Sequence, residues 1–166
     1  MESTSLAASR RTPMTPPLRV MAQHSDADSR AWEQIWLGAR ATEWRSLVVV
    51  PADPDASSLG AAEALRHSAA RYGQQPVQLI DATHAHASDV AGTLAAIAGA
   101  TAGEGQTIVA IGSPITHPAA IAIARGTDAA LLVVPLGVTH VAAARQTLAL
   151  LGRGRFIGSV ALRSGR

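Results

Sequence analysis

The sequence predicts an α/β protein built as a three-layer sandwich around a mainly parallel five-stranded sheet. Short stretches rich in valine, isoleucine, leucine and alanine alternate with alanine-rich helical stretches along the chain. Apolar residues make up 48% of the 166 residues and aromatic residues only 3%, so the core is expected to be aliphatic. Strands that alternate with helices form right-handed βαβ units. The stretch 129–135 is apolar throughout, which is typical of a strand covered on both faces.

The composition excludes several classes of function. The chain has no cysteine, which excludes disulfides, thiolate nucleophiles and cysteine-based zinc sites. It has no lysine, so all fourteen cationic side chains are arginine, and the formal net charge is only +2. The arginines are scattered and form no basic stripe, so no nucleic-acid partner is predicted. No apolar run reaches the roughly 18 residues of a membrane span, and no signal-peptide core is visible. A cytoplasmic protein is therefore expected.

The N-terminal part of the chain divides into a tail and a helix. Residues 1–27 are rich in serine, threonine and proline without periodicity, which predicts a flexible tail. A helix is predicted over residues 28–45, where Trp32, Ile35, Trp36 and Ala39 recur at helical spacing. Such a stripe commonly packs on the core. Because the chain has few other aromatic anchors, Trp32 and Trp36 are interpreted here as a partner-binding face.

The remaining elements follow in order. A valine-rich strand begins at Ser46, a loop with two prolines follows it, and a helix over 57–72 is predicted to be capped by Ser57 or Ser58 and ended by Gly73. Further strands are predicted at 77–81, 107–111, 129–135 and 156–162, and further helices at 88–100, 118–125 and 141–151. Ligands of such sheets bind at the carboxyl ends of the strands. The segments there are 51–58, 81–86, 112–117 and 135–140.

Two kinds of chemistry can be weighed from these segments alone. Asp81, His84 and His86 lie on one loop, and a His-x-His pair with a carboxylate can bind zinc or iron, although His-x-His in a loop is more often incidental. His117 or His140 would have to supply a further ligand. Ser113 lacks the G-x-S-x-G turn of serine hydrolases and is followed by proline, so it is not predicted to be a nucleophile.

The run from about 46 to 163 resembles the P-loop domain of the bacterial tyrosine kinases that work with polysaccharide co-polymerases, which are related to the deviant-Walker ATPases. The matching segments, in order, are VVVPADPDASSLGAAEAL at the phosphate loop, LIDATH with Asp81, AIGSPIT with Ser113, ARGTDAALLVVPLGVTH, and the closing IGSVAL. The resemblance implies a P-loop NTPase-like domain over residues 46–166. It also implies that Asp81, in the alternative to a metal ligand, is a retained strand-end residue that ties down the degenerate loop.

The chain departs from this family where the family binds nucleotide. Pro54 and Ala56 stand in place of loop glycines, and Ser57 in place of the phosphate-binding lysine. Gly112 stands in place of a carboxylate that helps to hold magnesium. The family's oligomerisation motif lacks its first arginine, and the tyrosine-rich tail is absent. The vestigial phosphate loop therefore consists of Pro54, Asp55, Ala56, Ser57 and Ser58, and the strand-end positions that go with it are Asp81, Gly112 and Ser113.

These departures imply a pseudo-kinase or pseudo-ATPase with no cofactor. The expected function is that of a non-catalytic scaffold in exopolysaccharide or capsule biosynthesis and export, docked on a membrane co-polymerase at the inner membrane. The alternative is an active ATPase or tyrosine kinase that uses ATP and Mg²⁺ through a non-standard phosphate loop. Phosphoryl transfer is almost wholly electrostatic positioning, so the combined losses favour the scaffold. Homo-oligomer formation is left open.

Overall fold

A computed structural model describes residues 26–73 and 75–163 of the chain. The strands are β1 Ser46–Pro51, β2 Val77–Ala82, β3 Gln106–Ile111, β4 Ala129–Leu136 and β5 Phe156–Arg163. The α-helices are α1 Asp26–Ala39, α2 Leu59–Tyr72, α3 Val90–Ala100, α4 Pro118–Arg125 and α5 Val141–Leu151. Short 3-10 turns at Ala87–Asp89 and Arg153–Arg155 precede α3 and β5. The predicted tail lies largely outside the described residues.

The five strands form one parallel sheet in the order β2-β3-β1-β4-β5. Helices α1 and α2 cover one face, and α3, α4 and α5 cover the other. The predicted three-layer α/β sandwich is thus confirmed. All six residues of the central strand β1 are buried, because the strand has neighbours on both sides and helices on both faces.

Side chains of β1 alternate between the two halves of the core. Leu47 and Val49 pack under α1 and α2, whereas Val48 and Val50 pack under the helices of the opposite face. Neighbouring strands β3 and β4 follow the same alternation, as the pleat requires. The core is aliphatic, as predicted, apart from two tryptophans that lie on the α1 side.

Helix α1 differs from the prediction in its extent and in the role of its second tryptophan. It ends at Ala39 rather than near residue 45, because the chain turns back there and the Trp44 indole N–H donates to the Ala39 carbonyl at 2.8 Å. Trp36 is only 1% exposed and packs edge-on against Trp44, with ring centroids 5.9 Å apart. The interpretation of Trp36 as a partner-binding residue is therefore wrong. Its spacing reflects core packing.

The start of β1 is anchored by a carboxylate from the start of β4. Asp128 Oδ2 accepts hydrogen bonds from the backbone N–H groups of Arg45 at 2.8 Å and Ser46 at 2.9 Å, and from the Ser46 hydroxyl at 3.0 Å. Partial burial alone would raise the pKa of Asp128, but these donors and the Arg45 charge outweigh it and lower the pKa. The carboxylate thus holds two neighbouring strands in register at their amino ends.

Within the described part of the chain, no helix combines the length and the apolar character that crossing a membrane requires.

Candidate functional site

The loops after β1 and β3 lie side by side at the carboxyl edge, because the two strands are neighbours in the sheet. A direct bond joins the two segments: the hydroxyl of Ser58, which is fully buried, donates to the carbonyl of Ile111 at 2.8 Å. This corner of the edge is the position predicted for a phosphate loop. Its geometry decides which ligands the loop can hold.

The loop after β1 uses its own carboxylate to satisfy its backbone. Asp53 is buried, and its Oδ1 accepts the N–H of Asp55 at 3.0 Å. The Asp53 carbonyl accepts the N–H of Ala56 at 3.3 Å, and Pro54 has no N–H to donate. Ala52 donates to the carbonyl of Val133 in the neighbouring strand at 2.8 Å. These N–H groups therefore point at the protein itself.

The backbone of this loop also lacks the left-handed residues of many anion-binding loops. A concave nest of N–H groups forms in turns or where successive residues alternate between right-handed and left-handed conformations. Between residues 52 and 58 no residue has a positive φ, and none is glycine. Asp53 and Asp55 add negative charge, and the chain has no lysine to offset it. The loop thus lacks the glycines, the lysine and the left-handed residues of a phosphate loop.

The two serines of the loop have different roles. Ser57 Oγ accepts the N–H of Leu59 at 3.2 Å, so Ser57 supports the first turn of α2 as the sequence predicts. Ser58 occupies the residue before the helix, yet its side chain makes no capping bond and is directed to Ile111. Of the two serines predicted as alternative caps of α2, Ser57 is thus the one that bonds to the helix backbone, and Ser58 is not. Its hydroxyl instead ties the β1 loop to β3.

Gly112 lies where any side chain would collide with backbone. A Cβ built there would lie 2.6 Å from the carbonyl oxygen of Thr83 and 3.2 Å from Nδ1 of His117. The loops after β2 and β3 therefore approach each other across this glycine. A carboxylate at position 112 would require them to separate. The position is thus closed to the metal-binding residue that the resembling kinases carry.

Asp81 holds its own loop rather than the β1 loop. Its Oδ1 accepts the Thr83 hydroxyl at 2.6 Å and the Thr83 N–H at 3.0 Å, and these bonds, with a smaller contribution from His84, lower the pKa of Asp81. The interpretation that Asp81 ties down the phosphate loop is wrong. Thr83, which the sequence analysis did not single out, is its partner, and the D-x-T spacing is the signal that could have identified it.

Asp81, His84 and His86, weighed above as metal ligands without being predicted to bind a metal, form no metal-binding group in the structure. His84 and His86 are exposed, and the backbone N–H of His86 donates to Asp89 at the start of the next turn. Among residues 26–73 and 75–163, no group of three or more histidine or acidic side chains is placed to hold a metal ion. His117 Nδ1 lies 2.9 Å from the Thr116 hydroxyl. The loop after β2 is thus a local turn.

Ser113 is buried and serves its own turn. Its Oγ accepts the N–H of Ile115 at 3.3 Å, and its carbonyl accepts the N–H groups of Thr116 and His117 at 3.2 and 2.8 Å. The hydroxyl oxygen is thus an acceptor within the turn. Its role is to shape the start of α4.

The segment after β4 exposes apolar side chains beside the β1 loop. Leu136, Val138 and Val141 are 45%, 57% and 67% exposed, and Gly137 between the first two has a φ of 83° that favours glycine. Large exposed aliphatic side chains are uncommon where a polar ligand binds. They are more typical of a protein contact surface.

Trp32, the other residue predicted to bind a partner, lies in a groove between α1 and α2. It is partly buried, and the groove of about 770 Å³ extends from Ser57 along α2 to Tyr72. Arg66 and Arg71 line the groove as well, and the sequence analysis missed them. Helical spacing is the signal that could have identified this face of α2. Four residues that line the groove lie three or four positions apart on one side of the helix: Gly60, Ala64, His67 and Arg71.

No family model matches the chain, and no curated protein is similar enough to it to count as a match. The function proposed below therefore rests on the fold, the β1 loop and the α1–α2 groove.

Proposed function

We propose that the protein is a non-catalytic scaffold with the fold of a P-loop NTPase and none of its nucleotide chemistry. The observation that carries this proposal is the β1 loop, in which Asp53 accepts the N–H groups of Asp55 and Ala56. The Asp53 carboxylate takes the first of these N–H groups and the Asp53 backbone carbonyl takes the second, so neither is free for the phosphate of a nucleotide. Together with the absent lysine and the closed position at Gly112, this supports a protein that acts by binding other proteins.

The pathway in this proposal comes from the family resemblance. In the resembling kinases, the P-loop domain docks on the cytoplasmic part of a membrane polysaccharide co-polymerase. The scaffold would occupy the same place in exopolysaccharide or capsule export, in the cytoplasm and peripheral to the inner membrane through its partner. The exposed apolar residues after β4 and the α1–α2 groove are surfaces that such a contact can use.

Nucleotide titration tests the non-catalytic half of the proposal. Isothermal titration with millimolar ATP and Mg²⁺ is expected to give no saturable heat. The variants Ser57→Lys and Gly112→Asp, alone and combined, are also expected to give no saturable heat. Pro54 and the bond from the Asp55 N–H to Asp53 persist in all of them. The lysine supplies only charge, and the new aspartate meets the Thr83 carbonyl.

Magnesium-dependent saturation by the unaltered protein would overturn the proposal in favour of an active ATPase or kinase with a non-standard loop. Hydrolysis restored by Ser57→Lys alone would show that the loop can still form an anion cradle. Circular dichroism of each variant serves as the control for folding, since a misfolded variant would also fail to bind.

A further inference from the structure

The α1–α2 groove has an apolar interior. Trp32 of α1 and Leu162 of β5 are both partly buried and pack against the core under α1 and α2. Small side chains of α2, Ala61 and Ala64, also line the groove and are themselves buried. Gly60 adjoins them, and a Cβ at Gly60 would meet no atom within 4 Å. The groove therefore has room for an apolar side chain from outside.

The rim of the groove is mainly cationic. Arg66 and Arg71 are exposed side chains of α2, and Glu63 is the acidic residue that lines the groove with them. The guanidinium of Arg71 lies 5.7 Å from the centroid of the Tyr72 ring, which is 41% exposed. An arginine and an aromatic ring side by side are typical anchors of protein interfaces.

We propose that this groove binds a short acidic segment of a partner protein, with one aliphatic or aromatic side chain inserted beside Trp32. Carboxylates of that segment pair with Arg66 and Arg71 at the rim, and the inserted side chain fills the space above Gly60. Charge complementarity favours this occupant over the N-terminal part of the same chain. Residues 1–25 contain three arginines and a single acid, Glu2, so they repel the cationic rim.

This docking site presupposes the proposed scaffold function and identifies the chemistry of the partner segment. A flat anionic membrane surface fits the groove less well, because lipid head groups offer charge without a side chain to fill the concave interior. Blocking the groove is expected to weaken binding of a peptide but not binding of a membrane, and the experiment uses that difference.

Peptide selection on the full chain tests the groove. Short random peptides displayed on phage are selected on the unaltered protein, with removal of those that also bind Gly60→Phe. This change adds a ring at a lining position where a Cβ meets no atom within 4 Å. Enriched peptides are expected to combine aspartate or glutamate with leucine, phenylalanine or tryptophan. The double variant Arg66→Glu/Arg71→Glu is expected to weaken their binding at least about tenfold. Arg145→Glu, on the exposed face of α5, is the matched control and leaves binding unchanged.

Three outcomes would overturn the docking site: no enriched sequence, enrichment of basic or uncharged peptides, or equal binding of the enriched peptides by the double variant. Sedimentation with vesicles of anionic phospholipid that depends on Arg66 and Arg71 but not on Gly60→Phe would also overturn it. None of these results bears on association with polysaccharide machinery, which is measured separately. Failure of the groove and failure of the scaffold function are thus distinguishable.

Discussion

At the scale of single residues, Trp36 shows how one helical stripe can have two meanings. Trp32 and Trp36 are four residues apart on α1, and both were interpreted as partner contacts. Trp36 is buried to 1% exposure, and its Nε1 has no hydrogen-bond partner among the described residues. Trp32 is one turn closer to the helix start and remains partly exposed. Only Trp32 can contact a partner while α1 stays packed on the core.

Trp36→Ala is therefore expected to destabilise the fold by about 3–5 kcal/mol, because it leaves a large cavity beside Trp44. Trp36→Phe is expected to cost no more than about 1–2 kcal/mol, since it keeps an aromatic ring and removes an unpaired N–H. Trp32→Ala is expected to cost less than Trp36→Ala. Urea unfolding followed by circular dichroism measures all three. A Trp36→Ala protein as stable as the unaltered chain would contradict the buried position.

At the scale of elements, the beginning of the central strand depends on the side chain of Asp128, the residue directly before β4. Asp128 accepts three hydrogen bonds around Ser46, and the N–H of Asp128 donates in return to Ser46 Oγ at 2.9 Å. Asp128 lies in one of the segments that resemble the kinase family, and the sequence alone indicated no role for it. Its role here is to align β1 and β4 at their amino ends, opposite the candidate site.

Asp128→Asn is expected to lower the free energy of unfolding at neutral pH by about 1 kcal/mol, because solvent partly screens this exposed carboxylate. The pKa of Asp128 is lowered in the folded state, so its contribution is present above the ordinary aspartate pKa of about 3.9. It is lost as the pH falls below that value towards the folded pKa. Urea unfolding from neutral pH downwards should therefore show the two proteins converging in acid.

Asp55→Asn, the same change on an exposed loop carboxylate, is the matched control and is expected to stay within about 0.5 kcal/mol of the unaltered protein. A stability difference for Asp128→Asn that is as large in acid as at neutral pH would show that the carboxylate charge is not what holds the strand.

At the scale of the whole molecule, the two edges of the sheet and the α1–α2 groove differ in their contacts. Asp128 holds the amino edge, and the carboxyl edge carries the β1 loop, in which the N–H groups of Asp55 and Ala56 bond to Asp53. The groove lies on the α1–α2 face, away from the three helices of the other face. The groove and the exposed apolar residues near the end of β4 are the surfaces that the proposed scaffold function would use.

The full chain is expected to co-purify with a membrane polysaccharide co-polymerase from gently solubilised envelopes. Gly60→Phe is expected to reduce the recovered co-polymerase, whereas Arg145→Glu leaves it unchanged, because only the first change fills the groove. Immunoblotting of the co-polymerase provides the measurement. Absence of every envelope polysaccharide component from preparations of the unaltered protein would refute the scaffold function, whatever the groove binds.

The sequence by itself determined the order of strands and helices, because apolar periodicity and helix-breaking residues act locally. The strands at 77–81 and 107–111 were each predicted to within one residue of the observed bounds. The absence of glycine from residues 52–58 and of lysine from the chain was equally visible, since it needs no knowledge of which residues lie nearby in the fold. The end of α1 was missed, because it depends on Trp44 folding back onto Ala39.

Only the tertiary structure decided which side chains meet. Sequence periodicity places Trp32 and Trp36 on one stripe, but burial by α2 and Trp44 distinguishes core from surface. Gly112 reads as a lost carboxylate in the sequence, whereas the approach of Thr83 shows that no side chain fits there. Contacts between distant segments depend on packing, which local residue preferences do not contain.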